Sequence, residues 1–218
     1  MKKYLAEFIG TFFLVFIGTG SIIVNDISNN TFGLVGIALS FGLIIIAMIY
    51  AFGSISGAHI NPSVTIAFAF KKEIGIKQTI LYIIFQILGA IFASLTLKLI
   101  FPKHQTLGMT QVSNGVFQSF FIEFISTFLL MISILIVFYN TNKHIKSFSG
   151  IIIGLVIIAL IFVAGPISGG SFNPARSIGP ALITGNLVNL WLYILSPTIA
   201  TISAVFIYNY FISIFKPS

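Results

Sequence analysis

Six long apolar runs set the plan of the chain: residues 4–24, 32–52, 79–100, 117–139, 148–163 and 190–211. A helix of roughly 20 apolar residues crosses a hydrocarbon core of about 30 Å, and no run shows the short alternating pattern of a transmembrane β-strand. Three connectors, 25–31, 102–115 and 140–147, are brief and polar. The other two are apolar, and each holds an Asn-Pro pair. Irregular backbone at membrane depth is tolerated only where protein buries it or where it lines a wet cavity.

The first apolar connector reads Ser56-Gly57-Ala58-His59-Ile60-Asn61-Pro62-Ser63, and the second Ser168-Gly169-Gly170-Ser171-Phe172-Asn173-Pro174-Ala175-Arg176. Asn is a preferred helix N-cap, and Pro suits the first helical position, where its missing N–H has no intrahelical partner to lose. Each copy therefore predicts a tight loop opening a helix of about ten residues, roughly 15 Å long, or half a bilayer core. Two such half-helices meeting at the midplane would cross the membrane together.

The halves repeat. Glu7-Phe8-Ile9-Gly10-Thr11-Phe12 returns as Glu123-Phe124-Ile125-Ser126-Thr127-Phe128. Each half has three spans, with its Asn-Pro element between the second and third. Three is odd, so the second half inserts upside down, as an inverted repeat about a pseudo-two-fold axis in the membrane plane. The expected organisation is one membrane channel domain, 1–218, with repeats at about 1–101 and 117–218 joined by a linker, 102–116.

Composition agrees. Of 218 residues, 57% are hydrophobic and 7% charged, where a soluble domain carries about 25% charged. The net charge of +7 does not imply a nucleic-acid partner, because basic residues at span ends are topology signals. Lys2, Lys3, Lys71, Lys72, Lys77, Lys143, Lys146 and Lys216 fall on one side of six alternating spans, and Lys98 and Lys103 on the other. The bias puts both termini in the cytoplasm. Met1-Lys2-Lys3 before an apolar run has the look of a signal peptide, but the run carries Glu7 and no small-x-small cleavage site, so it reads as a retained first span. The chain has no cysteine, which removes disulfide, thiol and Cys-based metal chemistry; no cofactor or metal is expected. Abundant Lys, Ile, Phe and Asn point to an AT-rich bacterial genome and hence to the inner membrane.

The constellation suits uncharged solutes. Each half-helix N-terminus carries roughly half a positive charge, so two aimed at one point repel protons and other cations. Asn61 and Asn173 offer amide donors, and the loop carbonyls around 57–60 and 169–172 offer acceptors. Arg176, on the first turn of the second half-helix, is an intramembrane charge and so a functional candidate. It reads as a pore-facing donor and second cation barrier, as a structural tie for loop carbonyls, or as both.

These features together resemble the aquaporins, the major intrinsic protein family, over essentially the whole chain: the Ala6-Glu7-Phe8 opening, both Asn-Pro boxes (Asn61-Pro62-Ser63 and Asn173-Pro174-Ala175), Arg176 and the repeat. The resemblance implies an all-α, right-handed bundle of six transmembrane helices with two re-entrant half-helices, forming a homotetramer with one pore per subunit. It also implies a narrow filter from Phe41, twenty residues before Asn61, and Ile161, twelve before Asn173, with Gly170 and Arg176. Strict water channels of the family usually place His where Ile161 stands. An opening with Ile161 and Gly170 should be wider and more apolar on one side. Ser63 replaces an Ala, its hydroxyl being expected on local backbone. Ser177 and Ala181 are water-channel-like, whereas Tyr193-Ile194, Ala164-Gly165-Pro166 and Thr65-Ile66-Ala67-Phe68 are nearer the nodulin-like plant aquaporins, a subgroup that carries water, glycerol and neutral metalloid acids.

The family pattern further implies that Gly57, Ala58, Gly169 and Ser171 line the pore. His59 matches a family His on the cytoplasmic half, the alternative being a buried His without solute contact. Glu7 and Glu123 read as acceptors for the re-entrant backbones, not as a proton relay. Gly10, Gly18, Gly42, Gly89 and Gly154 read as points of close helix approach. The leading expectation is a passive pore for water and small uncharged solutes. A glycerol or metalloid facilitator with low water flux is the narrower alternative, and an ion-coupled inverted-repeat transporter a remote one.

Overall fold

The computed structural model describes residues 1–215, so Lys216 lies outside the described residues. Among the described residues nine helices follow in order: α1 (Lys2–Ile27), α2 (Gly33–Ser56), α3 (Pro62–Phe70), α4 (Ile76–Ile100), α5 (Val116–Phe138), α6 (Lys143–Ser147), α7 (Ser149–Ser168), α8 (Pro174–Thr184) and α9 (Leu190–Phe215). Six of them, α1, α2, α4, α5, α7 and α9, are long and apolar enough to cross a membrane. The short α3 and α8 are the half-helices.

The packing follows the repeat. α1 lies against α2 and α4, as α5 lies against α7 and α9, while α2 and α7 meet at the centre. Each half-helix leans more on the third span of the other half than on its own: α8 packs chiefly on α4, and α3 on α9. This exchange interlocks the halves. Glycines permit the close approaches, as at Gly89, where a Cβ would lie 2.4 Å from the Phe8 carbonyl oxygen of α1.

Two spans run on into the Asn-Pro connectors. α2 continues to Ser56 and α7 to Ser168, through Pro166 in its last turn. Both end where a glycine turns left-handed, Gly57 at φ +89° and Gly169 at φ +84°, a conformation glycine enters without steric cost. The connector 140–147 contains α6, capped by Asn142 Oδ1 accepting from the His144 N–H at 2.9 Å. The connector 102–115 is not an exposed polar loop throughout, since Leu107, Gly108 and Thr110 are buried.

At the end of the bundle that carries both Lys71 and the 140–147 connector, Lys71 Nζ donates to Asn209 Oδ1 at 2.7 Å and sits 4.6 Å from the Tyr139 ring centroid. The exit of α3 is thereby tied to the ends of α5 and α9. The Tyr139 hydroxyl donates to Glu73 beside it.

Candidate functional site: a cavity closed over two capped half-helices

The site starts from two strained loops of the same shape. Gly57, Ala58 and Ile60 have φ of +89°, +48° and +42°; Gly169, Gly170 and Phe172 have +84°, +58° and +54°. A β-branched residue such as Ile60 rarely adopts this region, and such strain persists only where the surroundings enforce it.

A carboxylate enforces it in each half. Glu7 accepts the His59 N–H at 2.9 Å and the Ile60 N–H at 2.6 Å, together with the Ser56 hydroxyl and the Gln86 amide. Glu123 accepts the Ser171 and Phe172 N–H groups, both at 2.8 Å, and the Ser168 hydroxyl at 2.7 Å. Both carboxylates are fully buried. A phenol from the third span completes each clamp: Tyr82 donates to the Ser56 carbonyl at 2.8 Å and Tyr193 to the Ser168 carbonyl at 2.7 Å.

The loops then enter the half-helices. Asn61 Oδ1 accepts the Ser63 N–H at 2.9 Å, with Pro62 in the first turn. Asn173 Oδ1 accepts the Ala175 N–H at 3.0 Å, with Pro174 in the first turn. The amide nitrogens cross over. Asn61 Nδ2 donates to the Phe172 carbonyl and Asn173 Nδ2 to the Ile60 carbonyl, both at 2.8 Å. An amide carries two hydrogens, so each Asn retains one beyond this exchange. Ile60 and Phe172, the last carbonyls of the expected acceptor rows, each hold an asparagine.

One cavity of about 840 Å³ runs beside this junction. Phe41, Ile161, Gly170 and Arg176 all line it, as do Gly57, Ala58, His59, Asn61, Ser171 and Asn173. Towards the 140–147 connector it reaches Tyr139 and Lys146. Pro62, Ser63, Pro174 and Ala175 are buried in the packing around the half-helices. Gly169 lies apart from the cavity lining; a Cβ there would meet Thr110 Cα at 3.1 Å, so this glycine faces the 102–115 connector. The Ser63 hydroxyl lies 3.4 Å from Thr198 Oγ1 on α9 instead of on local backbone. His59 is half-buried, stacked on Phe68 at 4.8 Å, with Nδ1 3.2 Å from Thr65 Oγ1.

Arg176 is 1% exposed. Its Nη1 donates to the Gly108 carbonyl at 2.8 Å, and its guanidinium carbon sits 5.3 Å from the Phe41 ring centroid. Nε and Nη2 have no partner among the described residues. Sequence reasoning missed the Gly108 carbonyl, Gln86, the two phenols and a hydroxyl chain from Thr110 through Ser177 to Ser171, at 3.0 and 2.6 Å. The phenols were legible in principle, since they stand 26 and 25 residues after the serines they hold.

Comparison with known proteins names this architecture. The profile of the family described as Major intrinsic protein matches residues 1–208. The chain belongs to the major intrinsic protein family.

Nodulin-26 of Glycine max is 40% identical over 210 residues, covering 96% of this chain and 77% of that protein. A probable NIP-type aquaporin of Nicotiana alata is 46% identical over 221 residues, covering 100% and 80%. Among solved structures, an aquaglyceroporin from Plasmodium falciparum superposes with a TM-score of 0.85 over 95% of this chain and 94% of that one, at 24% identity, a likeness of fold. As a major intrinsic protein, this chain is a multi-pass membrane channel for water and small neutral solutes, and not an enzyme.

Proposed function

We propose that this channel is a facilitator for glycerol and neutral metalloid acids with low water flux. The observation that carries the reading is the stretch of wall that Ile161 and Gly170 contribute to the cavity Arg176 also lines. There Ile161 and Gly170 supply no hydrogen-bonding side chain. A water file needs polar partners on several sides, whereas a solute with carbon or a metalloid core is served by an apolar face and a donor face together. The two unpartnered nitrogens of Arg176 and the spare hydrogens of Asn61 and Asn173 make up the donor face. The likeness to nodulin-type relatives, a subgroup that carries glycerol and metalloid acids as well as water, supports the same reading.

Ions are excluded by the converging N-termini of α3 and α8 and by Arg176. Glu7 and Glu123 are anchors for the strained loops. Their commitment to backbone N–H groups speaks for fixed acceptors and against the proton carriers that a coupled transporter needs. His59, Gly57, Ala58 and Ser171 form the rest of the solute path. The protein works as a homotetramer in a bacterial inner membrane with both termini in the cytoplasm, on the strength of the family resemblance, the composition and the lysine bias.

Osmotic-shift stopped flow on reconstituted vesicles tests the reading. Glycerol and arsenite uptake should rise well above that of empty vesicles while the gain in water permeability stays small. Fast water flux with no glycerol uptake would overturn it.

A further inference from the structure

Gly18 sits in mid-helix on α1, with no left-handed φ to justify a glycine. Alanine is the better helix former at such a position, so the reason for glycine must be packing. Gly42, Gly89, Gly154 and Gly179 each meet backbone atoms of a neighbouring helix. At Gly18 the three nearest atoms all belong to one side chain. A Cβ there would lie 2.2 Å from Cε1, 2.6 Å from Cδ1 and 2.6 Å from Cζ of Phe41. The ring occupies the space that a side chain would fill. The Arg176 guanidinium carbon lies over the same ring, 5.3 Å from its centroid, and Phe41 lines the cavity with Ile161, Gly170 and Arg176.

We propose that Gly18 is a specificity-determining positioning residue, the notch in α1 that holds the Phe41 ring back and so sets the width of the opening beside Arg176. The inference rests on the assignment of Phe41 to the filter. Moving Cε1 from 2.2 Å to an ordinary contact of 3.4 Å or more requires the ring to leave α1. The cavity is the open side, so any β-carbon at position 18 narrows the lumen. Water, the smaller solute, loses less than glycerol does.

The test compares water and glycerol permeability in vesicles reconstituted with the parent, Gly18→Ala, Phe41→Leu and the double variant. Gly18→Ala should lower the glycerol-to-water ratio by about tenfold, the scale of one methylene in a tight pocket. Adding Phe41→Leu should restore the ratio. Gly20→Ala on the same helix is the control: its Cβ meets only Leu97, at 3.3 Å and away from the cavity, and it should keep the parent ratio.

A parent-like ratio in folded Gly18→Ala overturns the inference. If Phe41→Leu alone shifts the ratio while Gly18→Ala does not, the filter assignment survives and only the role of Gly18 falls. If neither shifts it, both fall. Should Gly18→Ala not fold, recovery of a folded double variant with a parent-like ratio supports the notch, and failure of both variants to fold overturns it.

Discussion

Gly42 and Gly154 face each other where α2 crosses α7, and the contact is reciprocal: a Cβ on Gly42 would lie 2.7 Å from the Gly154 carbonyl oxygen, and a Cβ on Gly154 would lie 2.7 Å from that of Gly42. They are 112 positions apart, as are Asn61 and Asn173. The repeat therefore places a reciprocal backbone contact where its two halves meet, between α2 and α7. Backbone cannot yield as a side-chain tip does. Gly42→Ala should force the crossing apart and destabilise the fold by about 1–3 kcal/mol, the usual range for overpacking. Thermal unfolding in detergent checks this, and an unchanged midpoint would contradict it.

In the proposed filter, Ile161 stands where a strict water channel usually has His. Ile161→His adds a polar group to the cavity that Arg176 lines and should reduce glycerol permeation about tenfold more than water, as expected when a pocket changes shape by about a methylene or more. Vesicle swelling and shrinking kinetics read both solutes on one sample. Equal losses would remove Ile161 from the filter.

On the proposed mechanism, Arg176→Val removes one of two cation barriers and leaves the dipoles of α3 and α8 in place. Each 1.4 kcal/mol of lost barrier raises leakage about tenfold, so proton conductance in planar bilayers should exceed that of the parent. The substitution also strips the Gly108 carbonyl of its donor, a loss of about 1–3 kcal/mol for a buried acceptor. Folding is therefore checked by gel filtration before the conductance is interpreted. A folded variant with parent conductance would argue that the dipoles alone suffice.

Tyr139 caps the bundle end that carries Lys71, just beyond α5. Burial first, and then the Glu73 carboxylate that accepts its hydroxyl, raise the phenol above its ordinary value of 10.0. A raised folded value means that the protonated form is favoured on folding. Its stabilisation is complete below pH 10.0 and fades as pH climbs through the higher folded value. Melting temperature should therefore fall more steeply above pH 10.0 in the parent than in Tyr139→Phe, which lacks the ionisable group. Superimposable profiles would show that the contact contributes nothing.

Much of the site was readable before folding because its parts are local. Asn61-Pro62 and Asn173-Pro174 carry their cap and first turn within consecutive residues, and Glu7 and Glu123 were matched by a six-residue echo. The span ends were less legible. Apolar content fades before α2 and α7 stop, and the left-handed turns at Gly57 and Gly169 end them. Gly169 was assigned to the pore lining from its box, but which side of a loop a glycine presents depends on the packing of the 102–115 connector.

Residue order alone was enough to settle six spans, two buried half-helices and the antiparallel sense of the halves, because hydrophobic length, helix-start chemistry and an odd span count are properties of the linear chain. It could not say that Asn61 holds the Phe172 carbonyl and Asn173 that of Ile60, that Gly108 receives Arg176, or that Gly18 houses the Phe41 ring. Those pairings join positions 23 to 113 residues apart. The Gly18–Phe41 contact exists only once α1 packs on α2, and the polar ones only after α3 and α8 have been packed between opposite halves, where burial leaves each polar group with whatever partner the fold brings to it.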